Sequence, residues 1–209
     1  MIKRYKKHEI DELVKILKNN GVISIPTDTV YGLCSSINSK LGYEKLRFIK
    51  NRPEDKSFPI MCSDLKQIKN IAIVNKKAEK LIKEFMPGPI TLVLKKRDNL
   101  PKYITNGKET IAIRLATSNE IKDLIIKLGN PIFLTSANKS GETVCSSLDE
   151  IEEMCPIIDG ILEGNIKYSK ASTIVDCTTE KIRVLRDGPI SENSIISKLM
   201  DLHITKQNN

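Results

Sequence analysis

The stretch Val22-Ile-Ser-Ile-Pro-Thr-Asp-Thr-Val-Tyr-Gly-Leu33 places a set of polar groups directly after an apolar run. Residues 22–25 predict a short buried strand that ends at a proline. Two threonine hydroxyls and the carboxylate of Asp28 follow at the strand end. In α/β proteins such groups bind a polar ligand, but they also satisfy the backbone of a turn, and the sequence leaves both interpretations open.

Helices and strands alternate on both sides of this stretch. Apolar residues recur every three or four positions in 8–20, which predicts a helix that ends at Gly21. The same criteria predict further helices at 40–50, from Asp64, at 75–85, 118–128, 149–154 and 191–202, and strands at 58–62, 90–94, 110–114, 131–134, 157–162, 173–177 and 182–185. This alternation predicts a layered α/β domain.

We expect one domain over residues 1–209. Its core covers about 8–190, a C-terminal helix follows at 191–202, and a polar tail occupies 203–209. The chain shows no repeat, no low-complexity linker and no break in composition. The polar connection 95–108 is expected to be an ordered loop.

The composition is that of an ordinary globular protein, with 40% hydrophobic and 29% charged residues among 209. No apolar run approaches the roughly 18 residues of a membrane span. The basic start, residues 1–7, is not followed by the apolar segment of a signal peptide. We therefore expect a cytoplasmic protein with no membrane contact.

A formal net charge of +8 favours polyanionic or phosphorylated partners, although a lysine-rich surface also arises from residue bias alone. Arginine is scarce, with 7 Arg against 27 Lys. In such a chain each arginine is a candidate for the planar fork that binds phosphate or carboxylate.

Cysteine and histidine usage disfavours several classes of site. The 5 Cys form no C-x-x-C pair, so neither a disulfide scaffold nor a cysteine zinc site is expected. The 2 His, His8 and His203, lie near the two ends of the chain. Triad-type hydrolysis is therefore disfavoured, and no cysteine or histidine metal ligands are predicted.

Four further segments carry candidate chemistry, and they are 50–56, 87–91, 135–141 and the pair 172–176 with 186–189. The first segment holds three cations, Lys50, Arg52 and Lys56, at the end of a predicted helix. These cations either bind a phosphate or form a solvated helix end whose charges favour the helix dipole. The second, Pro-Gly-Pro-Ile-Thr, is interpreted as a structural turn. The third is rich in hydroxyls but lacks P-loop spacing. Cations, hydroxyls and amides without an obvious base suit a reaction at a phosphoryl group.

In order and spacing these segments resemble the YrdC-like domain of the threonylcarbamoyl-AMP synthase family, over about residues 8–190. The resemblance implies a twisted mixed β-sheet flanked by helices, with an open basic concave face. It implies a nucleotidyltransferase that forms threonylcarbamoyl-AMP and pyrophosphate from L-threonine, bicarbonate and ATP. The product serves threonylcarbamoyladenosine modification of tRNA, through a downstream threonylcarbamoyl-transferase complex.

The resemblance also implies roles for particular residues. The catalytic pair is Lys50 and Arg52. The ATP-binding set is Arg52, Lys56, Thr110, Ser136, Asn138, Val144 and Arg186. The threonine-binding set is Thr29, Met61, Arg114, Leu134 and Ser172. Two positions depart from the family pattern, because Lys56 and Met61 stand where many members have asparagine and histidine, and methionine cannot hydrogen-bond threonine as histidine would.

Two other functions compete with the synthase. Some relatives resemble non-catalytic modules that bind double-stranded or ribosomal RNA, so tRNA or double-stranded RNA is a second candidate partner. The carbamoyl-transfer module of hydrogenase maturation would need Cys-rich fingers, which this sequence lacks. For the synthase, Mg²⁺ is expected on the ATP phosphates, with Asp28 as a candidate protein ligand. No side chain, and neither histidine, is expected to titrate as an essential catalyst near neutral pH.

Overall fold

Strands and helices alternate along the chain in a computed structural model that describes residues 2–168 and 170–204. The strands are β1 (Arg4–Tyr5), β2 (Ile23–Pro26), β3 (Tyr31–Ser36), β4 (Ile60–Cys62), β5 (Ala72–Ile73), β6 (Ile90–Lys96), β7 (Thr110–Leu115), β8 (Ile132–Ser136), β9 (Gly160–Leu162), β10 (Thr173–Asp176) and β11 (Arg183–Arg186). The helices are α1 (Ile10–Lys18), α2 (Lys40–Lys50), α3 (Leu65–Ile71), α4 (Lys76–Phe85), α5 (Lys102–Thr105), α6 (Asn119–Leu128), α7 (Leu148–Met154) and α8 (Glu192–Ile204).

All these strands belong to one mixed sheet. Its order is β1-β9-β2-β3-β8-β4-β7-β6-β10-β11, with β5 paired to β6 outside this path. Neighbours β2 and β3 are antiparallel, as are β3 and β8, whereas β4 with β7 and β6 with β10 are parallel. Segments far apart in sequence therefore become neighbours at the centre of the sheet, where β8 lies between β3 and β4.

Alternate residues of the sheet enter two separate apolar cores. In β4, Ile60 and Cys62 belong to the core packed against α2, α3 and α4, whereas Met61 belongs to the core packed against α1 and α6. Helices therefore cover both faces of the sheet. This confirms the predicted α/β class with a mixed sheet flanked by helices.

Helix starts follow the local capping signals of the sequence. The side chains of Asp64, Asn75 and Ser118 accept hydrogen bonds from backbone N–H groups three residues later, at the starts of α3, α4 and α6. These side chains satisfy donors that a first helical turn leaves without partners. The helices predicted from Asp64, at 75–85 and at 118–128 are thus confirmed.

Several predicted boundaries differ from the structure. The stretch after Pro26 was expected to be a loop, yet residues 31–36 form β3. The connection 95–108 holds the short helix α5, and the strand predicted at 157–162 shortens to β9. The predicted polar tail lies largely outside the described residues. No helix among the described residues is long and apolar enough to cross a membrane.

Candidate active site

A cavity of about 300 Å³ brings together most of the predicted site residues. Ligand pockets typically range from about 300 to 1,000 Å³. The predicted residues that line it are Thr29, Lys50, Arg52, Lys56, Arg114, Leu134, Ser136, Asn138, Ser172 and Arg186. Half of them carry a positive charge, so the cavity suits an anionic ligand.

The turn between β2 and β3 supplies hydroxyls to the cavity. The Thr27 hydroxyl donates to the carbonyl oxygen of Val30 at 2.6 Å and accepts from the backbone N–H groups of residues 29 and 30. Its oxygen also lies 2.9 Å from the Thr29 hydroxyl oxygen. Thr27 therefore satisfies backbone groups of the turn, as one of the two interpretations predicts, while Thr29 presents a buried hydroxyl at the cavity wall.

Arg114 reaches the same region from β7 and is only 4% exposed. Its Nη1 donates to the Thr29 hydroxyl at 3.3 Å, and its Nη2 donates to an Asp28 carboxylate oxygen at 2.7 Å and to the Gly88 carbonyl oxygen at 3.0 Å. Burial lowers the pKa of Arg114, and the Asp28 charge opposes that shift. Its Nε is buried and has no hydrogen-bond partner among the described residues.

A second hydroxyl pair lies beside Arg186. The Ser172 and Thr91 hydroxyl oxygens are 2.8 Å apart, and both side chains line the cavity. Arg186 holds Ser172 through two bonds, from Nε to its carbonyl oxygen at 2.9 Å and from Nη2 to its hydroxyl at 3.2 Å. Burial and the nearby Arg114 lower the pKa of Arg186, which places these two guanidinium groups within electrostatic reach of each other.

Lys50 ends α2 and is only 2% exposed. Its ammonium donates to the Ser136 carbonyl oxygen at 2.7 Å, to the Ser136 hydroxyl at 3.1 Å and to the Asn138 side-chain oxygen. Burial, and secondarily Arg52, lower the pKa of Lys50 to about 8. This value lies well below the pKa of a lysine in water. The expectation that no side chain titrates as an essential catalyst near neutral pH stays a prediction.

Arg52 is fixed by the connection that follows α2. Its Nε donates to the Lys56 carbonyl oxygen at 3.2 Å and its Nη2 to the Ser57 carbonyl oxygen at 2.6 Å. The guanidinium carbon lies 4.6 Å from the ring centroid of Phe58. Lys56, by contrast, is exposed at the cavity rim. A guanidinium fork held by two backbone carbonyls and an exposed ammonium therefore belong to one short segment of the wall.

Three predicted site residues do not line this cavity. Met61 is fully buried in the core against α1 and α6, so the structure does not bring its side chain to the proposed threonine site. Thr110 begins β7, four residues before Arg114, and is absent from the cavity wall. Val144 follows the 135–141 segment and is half-buried outside the wall.

Sequence analysis missed other residues of the wall. Thr91 closes the Pro-Gly-Pro-Ile-Thr segment, which we interpreted as structural, yet its hydroxyl pairs with Ser172 in the cavity. Ser140 lines the cavity too, and its buried hydroxyl has no partner among the described residues. For Ser140 the available signal was a hydroxyl that follows the predicted strand at 131–134, and for Thr91 it was a hydroxyl near the start of the predicted strand at 90–94.

The described residues offer no ready metal site. No group of three or more His, Cys, Asp or Glu residues gathers within the described part of the chain. Asp28, the candidate magnesium ligand, forms an ion pair with Arg114 and does not line the main cavity.

The five cysteines are buried, and burial raises the pKa of Cys145 to about 11 and that of Cys177 to about 12, so neither thiol is poised as a nucleophile. His8 is exposed outside the wall.

The structure is that of an α/β protein with a cation-lined cavity suited to an anionic ligand, and comparison with known proteins gives the family. A family model named Sua5_yciO_yrdC, described as "Telomere recombination", matches residues 15–188. The chain belongs to the Sua5/YciO/YrdC family. The threonylcarbamoyl-AMP synthase of Vibrio vulnificus strain YJ016 is 31% identical over 184 residues, which cover 86% of this chain and 98% of that protein.

Solved structures agree with the family assignment. P. abyssi Sua5 complexed with L-threonine superposes with a TM-score of 0.88 at 28% identity, over 95% of this chain and 61% of that one. E. coli YciO superposes with a TM-score of 0.85 at 27% identity, over 93% of this chain and all of that one. This chain therefore corresponds to about three-fifths of the Sua5 chain and to the full length of YciO.

Proposed function

We propose that the protein is a threonylcarbamoyl-AMP synthase, which forms threonylcarbamoyl-AMP and pyrophosphate from L-threonine, bicarbonate and ATP. The observation that carries this proposal is the grouping of cavity side chains into two neighbouring sets. The first set consists of Arg114 and Arg186 with two hydroxyl pairs, Thr27–Thr29 and Thr91–Ser172. The second set consists of Lys50, Arg52 and the residues around them. A carboxylate and a polyphosphate are the ligands that these sets fit.

The threonine side of the proposal uses Arg114, Thr29 and Ser172. Arg114 retains donors that the protein does not use, and a substrate carboxylate supplies the matching acceptors. The buried hydroxyls of Thr29 and Ser172 can each donate to or accept from threonine. The Sua5 relative complexed with L-threonine supports a threonine site in this fold.

The ATP side uses the cations of the second set together with Arg186. Lys50 holds Ser136 and Asn138 in place, and Arg52 and Lys56 add charge at the cavity wall. Thr110 and Val144 do not line the cavity, so their role as ATP contacts rests on the family resemblance alone. Mg²⁺ would enter on the ATP phosphates, because the described residues contribute no carboxylate cluster.

The chemistry needs positioning more than proton transfer. Threonine amine and bicarbonate, or the carbon dioxide in equilibrium with it, form a carbamate reversibly. A carbamate oxygen then attacks the α-phosphorus of ATP, the bond from that phosphorus to the bridging oxygen breaks, and pyrophosphate leaves. Alignment and positive charge at the departing phosphates account for much of the catalysis in such transfers.

The alternative of a non-catalytic RNA-binding module is less well supported. Modules that bind single-stranded RNA offer aromatic stacking platforms, and those that bind duplexes read an extended backbone. Here the cations converge on a small cavity, and Phe58 beside Arg52 is buried in the core. We further propose a single-domain cytoplasmic protein whose product passes to a threonylcarbamoyl-transferase complex acting on tRNA.

The decisive experiment is pyrophosphate release from ATP by the purified protein. Release should require both L-threonine and bicarbonate, and it should fall in an Arg114→Ala variant but not in Arg97→Ala, an exposed control outside the cavity wall. Pyrophosphate release that ignores threonine, or none at all together with tight binding of double-stranded RNA, would reject the synthase in favour of another function.

A further inference from the structure

Arg114 is a buried cation that the fold must neutralise. A guanidinium that is 4% exposed has lost most of its hydration, and an unpaired charge in that position is strongly unfavourable. The Gly88 carbonyl and the Thr29 hydroxyl contribute dipoles but no charge. The only carboxylate that contacts Arg114 within the described part of the chain is Asp28, at 2.7 Å.

Asp28 approaches Arg114 from outside the main cavity. Arg114 and Thr29 line that cavity, whereas Asp28 lines two neighbouring cavities of about 470 and 240 Å³, both of which also include Thr117 and Lys167. The Asp28 side chain is 14% exposed. A ligand in the main cavity would therefore meet Arg114 and not the carboxylate behind it.

The Asp28 backbone is fixed by two other parts of the chain. Its N–H donates to the Thr117 hydroxyl at 3.3 Å, after the end of β7. Its carbonyl oxygen accepts from the backbone N–H groups of Lys167 and Tyr168 at 3.1 and 2.9 Å. These contacts hold the Asp28 backbone beside Arg114, and the carboxylate contacts the guanidinium at 2.7 Å.

We propose that Asp28 is a positioning residue for the substrate carboxylate: it holds the Arg114 guanidinium from behind so that the remaining donors of Arg114 face the cavity. This inference rests on the proposed function for the identity of the carboxylate, but not for the geometry. Asp28 touches no reacting atom, so its effect passes through Arg114 and appears in threonine affinity.

Steady-state kinetics of Asp28→Asn tests this role. Asparagine keeps the shape and one acceptor oxygen but removes the charge. The threonine KM should rise by about 10- to 100-fold, the order expected when a binding group is misplaced by about 1 Å, while the ATP KM changes by less than about 2-fold. Asp98→Asn, the same change at an exposed carboxylate, should leave both constants unchanged.

A double variant separates positioning from general damage. When Asp28→Asn is added to Arg114→Ala, the threonine KM should rise no further, because the residue through which Asp28 acts is gone. Equal rises in both Michaelis constants, or a multiplicative effect in the double variant, would overturn the proposal. A lower threonine KM in Asp28→Asn would also overturn it, because Asp28 would then be a competing anion.

Nuclear magnetic resonance tests the geometry without any substrate. In ¹⁵N-labelled protein the buried Arg114 Nε–H should give a slowly exchanging resonance, assigned by its absence in Arg114→Lys. Asp28→Asn should shift or broaden this resonance while the rest of the spectrum shows an intact fold. An unchanged resonance would refute the positioning role even if the synthase assay succeeds, and a failed synthase assay with a changed resonance would reject only the proposed function.

Discussion

The buried ammonium of Lys50 predicts an unusual dependence of protein stability on pH. Burial, and secondarily Arg52, lower the pKa of this lysine from its ordinary value of 10.5 to about 8. Between these two pH values the unfolded chain still carries a proton on Lys50 that the folded protein has released. The free energy of unfolding therefore gains a contribution that rises with pH across this interval.

The magnitude follows from the size of the shift. Each pKa unit corresponds to about 1.4 kcal/mol, so a shift from 10.5 to about 8 gives about 3 kcal/mol as an upper limit. The limit applies because the oxygens of Ser136 and Asn138 accept from the ammonium and favour its protonated form. The contribution is absent below pH 8 and complete above about pH 10.5.

Urea unfolding at a series of pH values measures this contribution. The chain has no tryptophan, so far-UV circular dichroism is the suitable signal. The unfolding free energy of the wild type minus that of Lys50→Met should rise by up to about 3 kcal/mol between pH 7 and 10.5. The same difference for Lys66→Met, at an exposed position of α3, should stay flat. A flat difference for Lys50→Met as well would show that the buried lysine titrates as it does in water.

The remaining predictions concern the cavity and use the pyrophosphate assay. Arg114→Ala should raise the threonine KM by at least about 30-fold and the ATP KM far less, since loss of one partner of a desolvated charge pair costs about 2–5 kcal/mol; equal effects would reject the assignment. Arg52→Lys keeps the charge but loses the fork, so kcat/KM should fall by about 10-fold, and a fully active variant would show that charge alone suffices. Gly188→Ala should raise the threonine KM by about 10-fold, because the added Cβ would lie 2.2 Å from the backbone nitrogen of residue 173 and 2.5 Å from the Ser172 carbonyl carbon, so that the backbone at Ser172 has to shift. An unchanged threonine KM would show that threonine binding does not depend on the position of Ser172. Met61→Leu should change the threonine KM by less than about 2-fold, whereas a large change would place Met61 at the substrate despite its burial.

Local signals predicted the elements that local chemistry specifies. Helices that begin at capping residues, such as α3 after Asp64 and α4 after Asn75, were found because the cap and the apolar stripe lie in one short segment. Strand β3 was missed because four of its six residues, Gly32, Cys34, Ser35 and Ser36, are small and show no apolar alternation, although all six residues are buried. One of its partners, β2, is adjacent in sequence, but the other, β8, lies about a hundred positions away, and no local pattern displays that pairing.

The resemblance located the candidate site better than any local pattern, but it could not fix side-chain direction. Met61 occupies a position that the family uses for threonine. The alternation of side chains along β4 turns Met61 into the core against α1 and α6, while Ile60 and Cys62 enter the core on the other face of the sheet. Sequence likewise could not show that Asp28 is bound to Arg114, since the two residues meet only when β7 and the turn after β2 are brought together. The direction of Met61 depends on how β4 pairs with β7 and β8, and the Asp28–Arg114 contact depends on where β7 lies relative to the turn after β2. The sequence does not display either arrangement.

The two cationic sets of the cavity are stabilised by different contacts, and this difference bears on how one cavity could separate the two proposed ligands, threonine and ATP. Arg114 is neutralised by the Asp28 carboxylate, so what it offers a ligand is chiefly a set of directed N–H donors suited to a planar carboxylate. Among the described residues, the side-chain ammonium of Lys50 contacts only neutral oxygens of Ser136 and Asn138, which leave its charge uncancelled beside Arg52. Because net charge attracts a polyphosphate more strongly than a single carboxylate, the proposed function predicts that ATP binds at the second set and that hydrogen-bond geometry selects threonine at the first.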